Sequence, residues 1–154
     1  MPDRIIFGMQ ESVAELAKTM LGVEISPKKN WLEACHIEAD ASAIIGFSGA
    51  LQGNLRLAGI ENSVIKLAET LLGEPRDTLD EDIQDAFCEL ANMITGGVQR
   101  RIETNIGHIF ITPPVFISGK GHRVTGEHGY QCVSQLFDLD DAMFFVEVRY
   151  KQML

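Results

Sequence analysis

The sequence predicts an α+β fold in which an antiparallel sheet, or sheets, carries two long amphipathic helices on one face. Along the 154 residues, segments with helical spacing alternate with groups of strand-like runs, in the order helix, strands, helix, strands. Successive runs are joined by short turns, which favours antiparallel pairing over a parallel sheet with crossover helices. The length and the 45% hydrophobic content suit one compact domain over residues 1–154.

The first helix is predicted over residues 10–21, where apolar side chains fall on one helical face, and Gly22 and Pro27 then supply stop signals. Residues 31–58 change to short β-rich runs, which predict two or three antiparallel strands. The runs are LEACHIEA at 32–39, SAIIGFSG at 42–49 and GNLRLA at 53–58, with turn residues at Ser48-Gly49 and Gln52-Gly53.

A second helix is predicted over residues 63–72, with Gly73 at its carboxyl-terminal cap. Thr78 and Glu81 then form a T-x-x-E capping box, which predicts the start of a long third helix of about 25 residues, or ~38 Å. Residues 12–22 resemble residues 63–73. Together with the order of elements, this similarity suggests pseudo-duplicated α-β-β units, although two amphipathic helices built from common helix formers would resemble each other equally.

Three strand-like runs follow the long helix, at 108–118, 130–139 and 142–151. Pro113-Pro114 interrupts the first run, which places it at a sheet edge, a bulge or a kink. The first and last runs are apolar on both alternations, more than a sheet with a single buried face requires. We therefore expect some of this surface to pair with another chain, most simply in a two-fold homodimer.

Composition excludes several classes of function. A net charge of −9 argues against a nucleic-acid binder, because such proteins neutralise phosphates with clustered Lys and Arg, and it favours a protein partner. No apolar run approaches the ~20 residues that span a bilayer, and the first ten residues lack a secretory signal, so a cytoplasmic protein without membrane association is expected. Cys35, Cys88 and Cys132 are odd in number and widely spaced, which favours buried structural thiols over a disulfide framework.

Other catalytic motifs are weak. There is no G-x-S-x-G sequence, and no base is placed beside a Ser or Cys nucleophile, which argues against a covalent hydrolase. His122, Glu127 and His128 lie in the glycine-rich connection 119–129, but their spacing fits no zinc motif, so no metal site is predicted. Gly119-Lys120-Gly121 in the same connection lies between two strands, not before a helix, where a phosphate would be favoured.

The segment 85–97, DAFCELANMITGG, carries the most informative pattern. On the long helix, Asp85, Glu89 and Asn92 at i, i+4 and i+7 share one stripe, roughly 200° around from the apolar series. Gly96 lies one turn beyond Asn92 on the same stripe. A carboxylate and a carboxamide in register, without bulk that would hold a partner away, suit a docking and catalytic surface. The alternatives are a plain solvated face, or a divalent cation held by the two carboxylates.

The pattern Asp85-x3-Glu89-x2-Asn92, followed by MITGG, resembles the D/S-x3-E-x2-N signature of the CheC, CheX and FliY phosphatases of bacterial chemotaxis, and is most similar to the CheX type. The family signature extends to a proline after the long helix, which Pro113 or Pro114 would supply. The first predicted helix carries no second Glu…Asn pair, so one site per chain is implied. Further similar stretches cover nearly the whole chain: TMLG at 19–22, IGFSG at 45–49, AETLLG at 68–73 and TPP at 112–114.

The resemblance implies a phosphatase that hydrolyses the aspartyl phosphate of a CheY-type response regulator. Asn92 would orient the attacking water, and Glu89 would pair with a lysine of the receiver domain. Asp85, Gly96 and Pro113 would contact the partner. The chain would need no cofactor, because Mg²⁺ would belong to the phosphorylated receiver. Since an acyl phosphate is already reactive, positioning a water can matter more than a strong base.

Two other functions stay open at this point. A non-catalytic CheX-like module would keep the fold and the docking helix and act as a scaffold or sensor in a signalling or flagellar-switch complex. An enzyme unrelated to phosphate is the third. An adaptor has no evident need for Asn92 as well as Glu89, which favours the phosphatase.

Overall fold

The computed structural model describes residues 1–33, 37–126 and 128–153. Within these ranges the chain forms three α-helices and seven strands, in the predicted order. The helices are α1 (Pro2–Leu16, continued by a π-helical turn at Ala17–Leu21), α2 (Glu61–Leu72) and α3 (Glu81–Ile106). The strands are β1 (Ser26–Pro27), β2 (Ala39–Gly49), β3 (Leu51–Gly59), β4 (Ile109–Ile111), β5 (Val115–His122), β6 (Gln131–Leu139) and β7 (Ala142–Gln152).

The strands form one antiparallel sheet in the order β1-β6-β7-β3-β2, and β4 and β5 both pair with β2 at the far edge. Strands that are neighbours along the chain pair directly, as in β2 with β3 and β6 with β7. Residues 112–114 separate β4 from β5, so the run interrupted by Pro113-Pro114 lies at a sheet edge. The predicted α+β class is therefore confirmed.

The helices pack on one face of the sheet, and the main core lies between the two layers. Both long helices, α1 and α3, contribute a buried apolar stripe, as predicted, and α2 packs beside α3. Each fully buried side chain of this kind contributes about 1.5–3 kcal/mol of transfer free energy. The largest contributors include Ile5, Met9, Phe87, Leu90, Ile45, Leu55, Leu57, Val146 and Tyr150.

The opposite face of the sheet, here called the back face, is covered by connections between strands. Two buried back-face side chains are bound by these connections: Arg56 Nη2 donates to Ile37 O at 2.7 Å, and Arg149 Nη2 donates to Val124 O. Under this cover β7 is buried on both faces. The double apolar alternation of residues 142–151 thus comes from the chain's own layers and needs no partner chain.

Several element boundaries differ from the sequence prediction. α2 begins at Glu61, two residues early, and β5 continues to His122, so Gly119-Lys120-Gly121 lies in a strand and not in the predicted connection. α1 begins at Pro2, eight residues before the predicted start, because its first turns bury Ile5 and Ile6 against the core. The run 32–39 is not a continuous strand: Leu32 makes an isolated bridge to Ser134, and residues 34–36 lie outside the described residues. Gln52-Gly53 lies within β3, and the hairpin turns at residue 50.

Cysteine and histidine positions also need correction. Cys132 is disulfide-bonded, so the prediction of a free structural thiol is wrong there, because sequence spacing does not reveal which cysteines a fold brings together. Cys88 is free and half-buried, and Cys35 lies outside the described residues. His122 Nδ1 lies 2.7 Å from Gly119 O, so this imidazole has contacts within the fold. Glu127 lies outside the described residues, and the rest contain no group of three His, Cys, Asp or Glu side chains arranged around a metal site.

Across the described ranges, no helix combines the length and apolar character needed to cross a bilayer.

Candidate docking and catalytic helix

α3 is held in one orientation by its buried side and by its amino-terminal cap. The predicted apolar series is buried throughout, from Ile83 to Ile102. The cap is Asp80, not Thr78: the backbone N–H of Ile83 donates to Asp80 Oδ1 at 2.9 Å. Glu81 and Asp82 follow in the first turn, where the helix dipole favours negative charge. The opposite side of the helix is therefore presented to solvent in a fixed register.

The predicted polar stripe lies on this outward side. Asp85 and Glu89 are exposed, and Asn92 and Gly96 are partly exposed. The side chains of Glu89 and Asn92 make no hydrogen bond or ion pair with any described residue. Their carboxylate and carboxamide are thus available to a partner, since no hydrogen bond or ion pair to the described part of the chain has to be broken first.

The two glycines that follow serve different surfaces. A Cβ on Gly96 would meet only the Arg100 side chain, with Nη1 at 3.6 Å, among the atoms described around it. A Cβ on Gly97 would stand 2.5 Å from Ser12 Oγ and 2.8 Å from Ser12 Cβ, which no packed structure allows. Gly96 therefore leaves the outward face flat, whereas Gly97 allows α1 to approach α3 closely. Only the first of these roles is predicted by the helical spacing.

Two arginines near the end of the stripe also serve different surfaces, one between the helices and one toward solvent. Arg101 joins the helices: its guanidinium donates to Gly97 O at 3.0 Å and forms an ion pair with Glu15 of α1. Arg100 is exposed and has no ion pair or hydrogen bond among the described residues. It lies one turn beyond Gly96 and adds a positive charge to the stripe. Sequence reasoning missed Arg100, although continuing the 92, 96, 100 spacing would have found it. Asp85, Glu89, Asn92, Gly96 and Arg100 are here called the docking face.

Pro113 lies beside this helix at the edge of the sheet. Gln99 Nε2 donates to Ile109 O at 2.7 Å, and the rings of Phe87 and Phe116 meet edge to face at 6.2 Å. These contacts attach β4 and β5 to α3 on the two sides of the break, so the break lies alongside the middle of the helix. Pro113 itself is exposed and Pro114 is partly exposed.

The chemistry near the docking face is that of positioning, not of covalent attack. Burial raises the pKa of the Cys88 thiol, and the nearby Asp85 carboxylate raises it further, so Cys88 is protonated at neutral pH and a poor nucleophile. Asn92 can both donate and accept hydrogen bonds through its carboxamide, and Glu89 offers a carboxylate one turn earlier. Such a pair can orient a small molecule and bind a cationic group of a partner.

Comparisons with known proteins agree with this description. The family model for the chemotaxis phosphatase CheX matches residues 41–138. The CheY-P phosphatase CheX of Thermotoga maritima is 30% identical over 127 residues, which cover 80% of this chain and 81% of that protein. The chemotaxis protein CheX from Vibrio vulnificus aligns with a TM-score of 0.85 at 25% identity, covering 96% of this chain and 99% of that chain. A chain of the CheX-CheY-BeF3-Mg²⁺ complex from Borrelia burgdorferi shares the fold, with a TM-score of 0.80 at 20% identity and coverage of 96% and 97%.

Proposed function

The chain belongs to the CheX family of chemotaxis phosphatases, and we propose that it hydrolyses the aspartyl phosphate of a CheY-type response regulator. The observation that carries the proposal is the presence of Glu89 and Asn92 on the exposed side of α3, where neither has a hydrogen-bond or ion-pair partner among the described residues. Two comparisons support it. The Thermotoga maritima relative is a CheY-P phosphatase, and the Borrelia burgdorferi complex combines the same fold with CheY, BeF3 and Mg²⁺.

In this proposal Asn92 enters the active site of the receiver and holds a water in line with the phosphorus. The water oxygen attacks phosphorus while the bond from phosphorus to the aspartyl oxygen breaks, which releases inorganic phosphate and the aspartate carboxylate. A carboxylate is a good leaving group, so the step needs little help from a general acid. The neutral carboxamide supplies orientation without adding negative charge beside the phosphoryl group.

Glu89 pairs with a lysine of the receiver and fixes the register of the two proteins. Asp85 and Gly96 extend the contact by one turn on either side, and Pro113 contacts the partner from the adjacent sheet edge. We add Arg100 to this set, because its guanidinium is exposed and lies on the same stripe. Charge complementarity across such a surface mainly sets specificity and association rate.

The proposal assigns no cofactor to this chain. Mg²⁺ belongs to the phosphorylated receiver, where it would neutralise charge on the phosphoryl oxygens. The protein acts in the cytoplasm, where we expect the CheY-type substrate. Each subunit carries one Glu89–Asn92 pair, so one receiver binds per subunit.

We further propose a homodimer through the β4–β5 edge. Within the described residues no strand pairs with the outer side of this edge, which also carries exposed apolar side chains, and this combination favours pairing with another chain. An isologous two-fold contact is the commonest way to cover such a surface. The exposed fractions are 61% for Phe110, 39% for Ile111, 60% for Val115 and 37% for Ile117.

The experiment that tests the function mixes the purified protein with CheY-type receiver domains that have been phosphorylated with acetyl phosphate in Mg²⁺. Phosphate release is followed with and without the chain. The proposal predicts faster release in proportion to added protein. If a BeF3-loaded receiver binds but release from every phosphorylated receiver keeps its own rate, the chain is a binding module and the phosphatase proposal is wrong.

A further inference from the structure

The back face of the sheet contains a cleft of about 360 Å³ between β2, β3, β7 and the connection that follows β5. Val148 and Tyr150 point into the core under the helices, so Arg149 between them points to the back face. The cleft therefore lies on the other side of the sheet from the docking face. Its floor includes the buried Arg149, and its rim is solvent-exposed at Ser48, Gln52, Thr112 and Gly126.

Arg149 brings a buried charge to this cleft that the protein compensates only in part. Arg149 is only 5% exposed. Nη2 donates to Val124 O, whereas Nη1 is buried and has no hydrogen-bond partner among the described residues. Glu147 Oε1 lies 3.8 Å from Nη2. A buried guanidinium with an unused donor is costly unless a hydrogen-bonding anion completes it.

Glu147 compensates Arg149 only in part, because its carboxylate is also paired with a second buried arginine. Arg56 Nε donates to Glu147 Oε1 at 3.3 Å and Arg56 Nη2 donates to Oε2 at 3.2 Å, and both side chains are 0% exposed. Two buried guanidinium groups thus share one buried carboxylate. One positive charge is therefore left without a full counter-charge, and it resides on Arg149, which lines the cleft.

A second unsatisfied group lies beside the first. Asn54 is the direct cross-strand neighbour of Arg149 in the β3–β7 ladder, and it lines the same cleft. Its Oδ1 is buried and has no hydrogen-bond partner among the described residues. The amide can present either its oxygen or its NH2 group to the cleft, since the two ends exchange on rotation. Arg149 and Asn54 thus place two buried polar atoms, neither with a hydrogen-bond partner among the described residues, side by side in the lining of the cleft.

We propose that this cleft binds a small organic anion, whose carboxylate or phosphate group accepts hydrogen bonds from Arg149 Nη1 and the Asn54 amide. The organic part of the ligand lies against Tyr130, which also lines the cleft. The volume falls within the ordinary range for small-molecule sites, and a few converging polar groups in an otherwise apolar cleft are typical of them. This site is independent of the proposed phosphatase function.

Gly126 supports the site by its lack of a side chain. A Cβ at this position would stand 2.6 Å from Arg149 Cδ and 2.9 Å from Nε. The glycine therefore lets the connection lie directly against the arginine side chain and hold it in the floor of the cleft.

The test titrates the full chain with three oxyanions at constant ionic strength: inorganic phosphate, benzoate and phenyl phosphate, with benzyl alcohol as the neutral control. Backbone amide NMR shifts of Gly46, Gly53 and Gly126 report on the cleft. We expect saturable shifts at these glycines with benzoate or phenyl phosphate and none with benzyl alcohol. Benzoate against phenyl phosphate separates a carboxylate site from a phosphate site, and inorganic phosphate shows whether the anionic group suffices.

Three variants identify the binding group. Asn54→Asp places a carboxylate beside Arg149 and should pair the guanidinium internally, and Arg149→Gln removes the charge; each should weaken binding by about tenfold or more, the loss expected for a charge-assisted hydrogen bond. Arg123→Gln is the matched control, because Arg123 is exposed, is paired with Glu38 and does not line the cleft. If Arg149→Gln fails to fold, Asn54→Asp decides. No saturable shift with any oxyanion, or undiminished binding by a folded Asn54→Asp protein, overturns the proposal.

Discussion

At the residue scale, Glu89 is proposed to set the affinity for the receiver. Because its exposed carboxylate makes no hydrogen bond or ion pair with the residues that the structure describes, Glu89→Ala should leave the fold intact. It should weaken binding of a BeF3-loaded receiver by about tenfold or more, through loss of the interfacial lysine pair. Titration calorimetry measures this. Glu11→Ala is the matched control, since Glu11 is an exposed acid on α1 outside the docking face. Unchanged affinity in Glu89→Ala would remove the proposed role.

Substitutions at the adjacent Gly96 and Gly97 should have opposite effects on stability. Gly96→Gln should stabilise the helix by about 0.5–1 kcal/mol and yet block receiver docking, because the new side chain projects from the docking face. Gly97→Ala should destabilise the protein by about 1–3 kcal/mol, because its Cβ would collide with Ser12 of α1. Urea unfolding and receiver titration of both variants check the pair. Full docking by Gly96→Gln would show that the partner does not cover this turn.

The sequence predicted which residues of α3 face outward, but not all that they do. Helical periodicity alone placed Asp85, Glu89 and Asn92 opposite the apolar stripe, and the structure confirms that placement. The packing role of Gly97 depends on Ser12, which is far away in the chain, and no local pattern contains that contact.

At the element scale, α2 is capped from another element. Asp40 of β2 accepts the backbone N–H of Glu61 at 2.9 Å and that of Gly121 at 3.1 Å, and these hydrogen bonds lower the pKa of the Asp40 carboxyl. Asp40→Ala should therefore cost about 0.5–2 kcal/mol at pH 7, as other helix-cap losses do.

The pH dependence of this cost follows from the lowered pKa. The stabilising effect of Asp40 is fully present above the pKa of the carboxyl in the unfolded chain, and it is lost as pH falls through the lower folded value. The stability difference between wild type and Asp40→Ala should thus shrink on going from pH 7 toward pH 3 in urea unfolding. Asp77→Ala, at an exposed site, serves as the control. A difference that stays constant with pH would contradict the cap.

Elements with local signals were predicted well, and elements defined by distant contacts were not. Gly73 ends α2 in the left-handed region at φ 76°, as its position after the apolar stripe predicted. Gly53 looked like a turn residue but lies within β3, where a Cβ would come within 1.8 Å of Arg149 O on β7. Position 53 requires glycine because β7, which lies almost a hundred residues later in the chain, passes too close for a side chain.

At the scale of the whole molecule, the β4–β5 edge is predicted to join two copies of the chain. Phe110→Glu should convert the dimer to a monomer without unfolding it, because Phe110 is 61% exposed and contributes little to the core. Phe7→Glu is the matched control, since Phe7 is 59% exposed on α1. Sedimentation at micromolar concentration measures both. A wild-type protein that is monomeric at every concentration would rule the dimer out.

The burial of both sheet faces could not be predicted from the sequence. Arg56, Glu147 and Arg149 occupy strand positions that would ordinarily face solvent, and only the folded connections enclose them. The cleft beside Arg149 follows from the same enclosure. It depends on which residues the connections place over the back face, and that is a property of the assembled fold.

The most direct test of the central claim is the rate of dephosphorylation of a phosphorylated CheY-type receiver at saturating protein, measured in a single turnover. Asn92→Ala should reduce this rate by about 10²-fold or more while leaving receiver affinity and thermal stability close to wild type, because Asn92 positions the water and its carboxamide makes no hydrogen bond among the described residues. Asn105→Ala, at an exposed position near the end of α3, should react at the wild-type rate. A wild-type rate in Asn92→Ala, or a loss of rate explained by unfolding, would contradict the account.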